Sequence, residues 1–234
     1  MTSILKREFL AYFRSPLGYV IVCAMYLFTG YYFFTFNIYG NTSDTSALFG
    51  MLFSIVLFII PVLTMRLLSE ERRTKTDQTL LTSPVSRASI VISKYLAALF
   101  VYTLAISGTI LMAFIIQIYS QPDWPVVAGN FFGLFLLGAT LIAICLFISS
   151  LTESQVVAAV GGFGASLGLI LLDALRFVVL SPALRSFFTQ MSFNGRYRGF
   201  TIGVINLADV TFFVSITACF LCLTILVLER RRWN

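Results

Sequence analysis

The sequence predicts an all-α membrane protein of six transmembrane helices, and three observations carry that prediction. Hydrophobic residues make up 59% of the chain and charged ones 11%, against roughly 25% charged in soluble domains. Six stretches, 15–43, 45–65, 95–122, 124–152, 154–172 and 210–228, contain no charge, and each is about the length a helix needs to cross a bilayer. The charges that do occur gather between these stretches, above all in Ser69–Ser86. Trimmed at loop signals, the spans fall at 17–39, 47–68, 87–118, 127–150, 155–178 and 209–229, in one transmembrane domain covering 1–234.

Six spans return both termini to one side, and the distribution of basic residues says which. Lys6, Arg7, Arg14, Arg66, Arg72, Arg73, Lys75, Arg87, Lys94, Arg230, Arg231 and Arg232 share the side of the termini, against Arg176, Arg185, Arg196 and Arg198 opposite. Basic residues mark the cytoplasmic side, so both termini are expected there. The acids split 6 against 4, which puts the whole net charge of +6 on the cytoplasmic face. Anionic headgroups account for that balance; nucleic acid is not needed as a partner.

Residues 1–15 come first. Leu5, Phe9, Tyr12 and Phe13 recur at helical spacing with Lys6, Arg7 and Arg14 on other faces. That pattern suits a short helix lying in the membrane interface, though it also fits a plain basic flank to the first span. Ser15-Pro16 breaks it. The apolar run that follows is too long for a cleavable signal and has no Ala-x-Ala site after it. Asn41–Asp44 reads as a short outer loop, and Arg66 can reach the headgroups from the end of the second span.

Residues 69–86 form the longest strongly polar run in the chain, and Ser86 is a fitting N-cap for the third helix. That helix, read as continuous over 87–118, exceeds what a bilayer requires, so its first turns, with Arg87 and Lys94, should stand in the cytoplasm. Gln121–Pro125 is an outer turn with Trp124 at interface depth, and Thr152–Ser154 a tight inner one. In the fifth span Gly161, Gly164 and Gly168 allow close helix packing; the Gly-Gly-x-Gly run lacks the Lys-Ser/Thr ending of a phosphate loop. Asp173 and Arg176 stand three apart and could pair.

Residues 179–208 lie outside. Phe187, Phe188, Arg196 and Arg198, with Asp209 behind them, suggest short interfacial or re-entrant helices, either a plain interfacial segment or an outer gate. Asp209 is also placed to cap the sixth span.

No chemistry appears inside the spans. The chain has no histidine, which removes the commonest metal ligand and general base. Cys23, Cys145, Cys219 and Cys222 sit in apolar runs and read as packed thiols. No catalytic dyad, metal-ligand set or midplane acid is visible, which argues against an intramembrane enzyme and an ion-coupled carrier. Energy for any transport must then arrive from outside the spans, and 69–86 is where a soluble partner could deliver it.

The residues that make up this segment also carry a resemblance. Glu71-Arg-Arg-Thr-Lys-Thr-Asp-Gln-Thr-Leu-Leu-Thr-Ser-Pro-Val-Ser86, followed by Ile90-Val-Ile-Ser-Lys94, resembles the permeases of type-2 ABC exporters. Lys75-Thr76 stands where Gly-Thr is usual and Gln78 where an acid is common. Gly199-x-x-x-Gly203-Val-Ile-Asn-Leu-Ala-Asp209 is similar to the outer segment of the gliding-motility-type subgroup, with Asn206 in place of an acid.

The resemblance implies a half-transporter in the bacterial inner (plasma) membrane, crossing it many times and dimerising with a second copy or a related permease. Two separate ABC ATPase subunits would bind MgATP, leaving this chain with no cofactor, no metal and no catalytic residue; no Walker motif occurs in it. A coupling helix spanning Thr76 to Ser83 would dock in the ATPase, with Leu80 and Leu81 as apolar anchors and Glu70, Glu71, Arg72 and Arg73 as rim charges. Asp77 and Pro84 belong to the same block, and Glu153 would add a secondary contact. Membrane lipids and an extracytoplasmic accessory protein are further partners. The same six-span plan serves permeases for haem or lipid-like molecules. It would also serve an anchor that passes ATP-driven movement to an outer assembly without carrying a solute. The substrate is not legible.

Overall fold

The structure, a computed structural model, describes residues 2–73, 86–119, 122–178 and 182–230. Among them the only regular structure is helix, and six helical segments are long and apolar enough to cross a membrane: Pro16–Ile38, Ser46–Arg73, Arg87–Tyr119, Trp124–Leu151, Gln155–Leu175 and Leu207–Arg230.

Helix α1 (Thr2–Arg14) meets α2 (Pro16–Tyr32) at a sharp corner. Pro16 starts the new helix, and Gly18 lets it turn: a Cβ there would stand 2.7 Å from the Tyr12 carbonyl oxygen. α1 packs against the third span, with the Phe9 ring edge-on to Phe100 at 4.9 Å. Its Tyr12 hydroxyl donates to the Leu63 carbonyl at 3.0 Å. The first span finishes in a π-helical turn, Phe33–Ile38, where the buried Asn37 amide donates to the Thr42 and Asp44 carbonyls and closes the loop.

Helix α3 (Ser46–Thr64) contains Pro61, which cannot donate to the carbonyl four residues earlier. The chain turns through 65–68 and resumes as α4 (Ser69–Arg73). α5 (Arg87–Ile106) is capped by Ser86, whose Oγ accepts from the Ser89 N–H at 3.3 Å. The span expected over 87–118 is one segment, Arg87–Tyr119, but its helix is interrupted at Ser107, after which α6 (Gly108–Tyr119) begins. Ser-Gly pairs are common kink points. In this one Ser107 Oγ shares a 2.9 Å hydrogen bond with Tyr26 Oη, and the Tyr26 ring packs so close to Gly108 that a Cβ there would stand 3.0 Å from it.

Helix α7 (Trp124–Leu151) is the axis of the bundle. It touches α3, α5, α8 (Gln155–Val178), α10 (Phe193–Thr201) and α11 (Leu207–Arg230), and its run from Leu136 to Leu146 is buried on every side. Lipid is as apolar as leucine, so shape and interhelical hydrogen bonds must hold such a helix in place. Gly138 gives its space to the Tyr102 ring, whose hydroxyl donates to the Leu134 carbonyl at 2.7 Å. Gly133 does the same for Phe200, where a Cβ would come within 2.6 Å. Thr140 Oγ1 donates to the Phe213 carbonyl of α11 at 3.1 Å.

Of the three glycines singled out for packing, Gly161 faces Ile148, with 2.7 Å from a notional Cβ to that side chain. A Cβ at Gly164 or Gly168 would meet nothing within 4 Å among the described residues. The close approach falls at Gly162 instead, against Pro61 and Cys145.

Candidate functional site

The structure holds two clusters of polar side chains, one at each end of the bundle. The charged end is built around the beginning of the 69–86 segment. The Leu68 and Ser69 backbone N–H groups both donate to Ser149 Oγ of α7, at 3.3 and 3.2 Å, and the Ser69 hydroxyl donates to the Met65 carbonyl. Ser149 thereby satisfies two N–H groups at the start of α4, which have no helical partner of their own. Arg66 makes a two-pronged bond to Glu70, at 2.8 and 2.9 Å. Arg72 reaches Glu153 in the turn after α7, at 2.9 Å.

At the centre stands Lys94 of α5. Expected to emerge beyond the bilayer with Arg87, it is enclosed by protein, 1% exposed. Its ammonium binds Glu71 of α4 at 2.8 Å and Glu8 of α1 at 3.1 Å. Arg7 completes the cluster, 2.8 Å from Glu8 and 3.7 Å from Glu71. A buried ammonium without a counter-charge is prohibitively unfavourable, so Lys94 fixes three helices relative to one another. Arg87 and Glu229, 3.7 Å apart, add a strap from α5 to the end of α11.

Burial drives the Glu8 carboxyl upward, but Lys94 and Arg7 together outweigh it and hold the group below its ordinary value. Because the folded value is the lower one, its stabilisation is complete above about pH 4.3, the ordinary glutamate value, and is lost as pH falls through the folded value. Melting temperatures followed from neutral pH into this acid window should fall more steeply for the natural protein than for Glu8→Gln.

Glu70, Glu71, Arg72 and Glu153, expected to face a partner, all have partners inside this chain, while Arg73 is exposed. Thr76, Asp77, Leu80, Leu81 and Pro84 lie outside the described residues. Lys94 and Glu8 were not singled out as site residues. Lys94 ends the motif that carries the resemblance, yet nothing in its spacing shows that it reaches back to Glu8, 86 residues earlier.

The far end is built by α9 (Pro182–Met191) and α10. α10 presents Phe193, Tyr197 and Phe200, spaced four and three apart, to the core. The Tyr197 hydroxyl donates to the Phe49 carbonyl at 3.2 Å, and Phe193 meets Phe212 and Phe213 edge-on. Arg196 pairs with Asp209 at 2.8 Å, donates to the Gln190 carbonyl and covers the Phe212 ring at 4.2 Å. The cap expected of Asp209 is made by Asn206, whose Oδ1 accepts from the Ala208 N–H. Of the gate residues, Arg196 and Asp209 therefore meet, Phe188 is half-buried and Arg198 is exposed. The side chains of Phe187 and Arg176 lie outside those described.

Asp173 is buried, its Oδ2 accepting from the Asn194 N–H at 3.1 Å. Among the described residues no group of three or more His, Cys, Asp or Glu side chains is placed to hold a metal.

No curated protein matches the chain. The model of one family, the ABC-2 family transporter protein, matches residues 4–172, a stretch that takes in α1 and the whole charged end except Glu229. With more than half of its length matched and six membrane-spanning helices in its fold, the chain belongs to the ABC-2 family of transporter proteins and is a multi-pass membrane permease component.

Proposed function

We propose that this chain is the permease subunit of an ATP-driven exporter, working as a dimer with a second copy or a related permease. Separate ATPase subunits that bind MgATP would drive it, and the charged end would face the cytoplasm. The observation that carries the reading is the way the start of segment 69–86 is wired into the bundle. Glu71 is tied through Lys94 to α5 and α1, Arg72 to the turn after α7, and Leu68 and Ser69 to Ser149. A push on the segment would be delivered to three spans and the N-terminal helix at once. The basic residues gathered at this end favour the same orientation.

In this reading Leu80 and Leu81 enter a groove of the ATPase, and Arg73, the exposed member of the charged set, lies at the rim. Leu80→Asp combined with Leu81→Asp places two charges in that apolar contact. The double variant should lose co-purification with the ATPase and ATP-dependent transport while keeping the melting temperature of the natural chain. A complex and an ATPase rate equal to those of the natural chain would overturn the proposal. The family match supports an ATPase partner in general; export rather than import, and transport rather than an anchoring role, rest on the proposal.

A further inference from the structure

Helix α1 turns two different faces to its surroundings. One is apolar, and protein takes it. Phe9 meets Phe100 of α5 and Phe13 meets Tyr19 of α2, both edge-on, and Tyr12 is buried with its hydroxyl on the Leu63 carbonyl. Glu8 is drawn to the protein as well, reaching Lys94. An amphipathic helix at a membrane ordinarily lays its apolar face into the acyl boundary; here that face is already occupied. The face left open is basic. Lys6, Leu10 and Arg14 stand at intervals of four, which makes one stripe of a helix, and all three are exposed. Arg7 and Lys94 balance Glu8 and Glu71 within their own cluster. Lys6 and Arg14, by contrast, form no ion pair among the described residues. The large side chains against which α1 rests, Phe100 and Tyr19, are themselves 58% and 59% exposed on membrane-spanning segments. α1 therefore sits at the rim of the bundle, beside open span surface.

We propose that the outward face of α1 binds the headgroups of anionic phospholipids, with Lys6 and Arg14 on the phosphates and Leu10 entering the acyl boundary between them. Open apolar surface on a span meets lipid, which puts the neighbouring stripe at the level of the headgroups. Charge complementarity selects which headgroups. An anionic leaflet attracts each nearby lysine or arginine, and these two have no acid of their own to hold them. Lysine offers a compact charge and arginine a fork that matches a phosphate. Both have stems long enough to reach a headgroup from a helix held against protein. Lipid on one face and Lys94 on the other hold α1 from two sides. The helix that brings Glu8 to the charged cluster is thus seated more firmly in a bilayer that carries negative charge. The inference rests on the permease reading only in assigning this surface to the cytoplasmic leaflet; a nanodisc offers the same lipids on both.

The test uses the full chain in nanodiscs of equimolar phosphatidylglycerol and phosphatidylcholine. A photoactivatable form of one lipid or the other is added in turn, and the crosslinked peptides are mapped by mass spectrometry. Phosphatidylglycerol should crosslink within 2–14 in clear preference to phosphatidylcholine, and added salt should reduce that preference. Lys6→Gln and Arg14→Gln should each lower the phosphatidylglycerol yield in α1 about fivefold, the weight of one cation at an anionic surface. The exchange Lys6→Arg with Arg14→Lys keeps both charges and should keep the yield. Arg198→Gln, which removes a charge at the far end, should also leave it unchanged. Equal crosslinking of α1 by the two lipids would overturn the proposal, as would a yield in the Lys6→Gln, Arg14→Gln double variant equal to that of the natural chain. Because the discs contain no ATPase, failure here leaves the permease reading to the Leu80 and Leu81 variant, and failure there leaves the lipid surface standing.

Discussion

Replacing Lys94 by methionine is expected to destabilise the protein by about 3 kcal/mol, the lower end of what breaking a buried ion pair costs. Methionine fills a similar volume, so the loss is electrostatic: Glu8 and Glu71 are left facing each other with Arg7 alone between them. The lower end applies because both carboxylates keep some solvent contact, with side chains 12% and 19% exposed against 2% for Lys94. Thermal unfolding in detergent measures the effect. Adding Glu71→Gln to Lys94→Met should recover part of the loss, since removing both members of a pair is milder than stranding one. If Lys94→Met alone melts like the natural chain, Lys94 does not hold the three helices together.

Gly138→Ala is expected to be the most harmful single-methyl change in the bundle, at about 3 kcal/mol, the upper end for overpacking a core. The new Cβ would overlap the Cε1–Cζ edge of the Tyr102 ring. That ring is 0% exposed and anchored by its hydroxyl to the Leu134 carbonyl, so it has nowhere to move. Shrinking the obstacle with Tyr102→Leu should make Gly138→Ala nearly harmless in that background, a coupling that a double-mutant cycle of melting curves reads directly. Gly164→Ala, which meets nothing within 4 Å, is the control.

These residues also show which parts of the molecule a sequence discloses. Spans are legible because a bilayer imposes length and apolarity on every residue of a crossing helix. Arg14-Ser15-Pro16, Ser86 and Thr152–Ser154 mark local breaks, and local physics reads them. The break at Ser107 was not foreseen, since it depends on Tyr26 arriving from another helix. The sequence places Lys94 beyond the bilayer because a helix over 87–118 is longer than a bilayer requires. Only the fold brings Glu8 and Glu71 to it from two separate earlier parts of the chain. The glycines divide the same way. A run such as Gly161–Gly168 announces a small-sided face, but Gly138, isolated in the sequence, carries the closest contact. At the far end Arg196 and Asp209 were recognisable as polar residues worth noting, whereas their mutual pairing and the burial of Asp173 are properties of the packed helices.

The all-round apolar surface of α7 has a consequence for how the protein is made. A helix with one polar side must find its partner as it leaves the ribosome, or bring that side into lipid unprotected. α7, with a mean hydropathy of 2.7 over its apolar window, can enter the bilayer alone and wait there. Its neighbours in α3 and α5 are already synthesised, and α8, α10 and α11 follow later. The hydroxyl of Thr140 can turn back to the Leu136 carbonyl in the meantime, a bond it keeps in the finished fold at 3.0 Å alongside the one to α11. The helix that becomes the most enclosed element is thus the one best able to survive without company, and assembly can close around it in the order of translation.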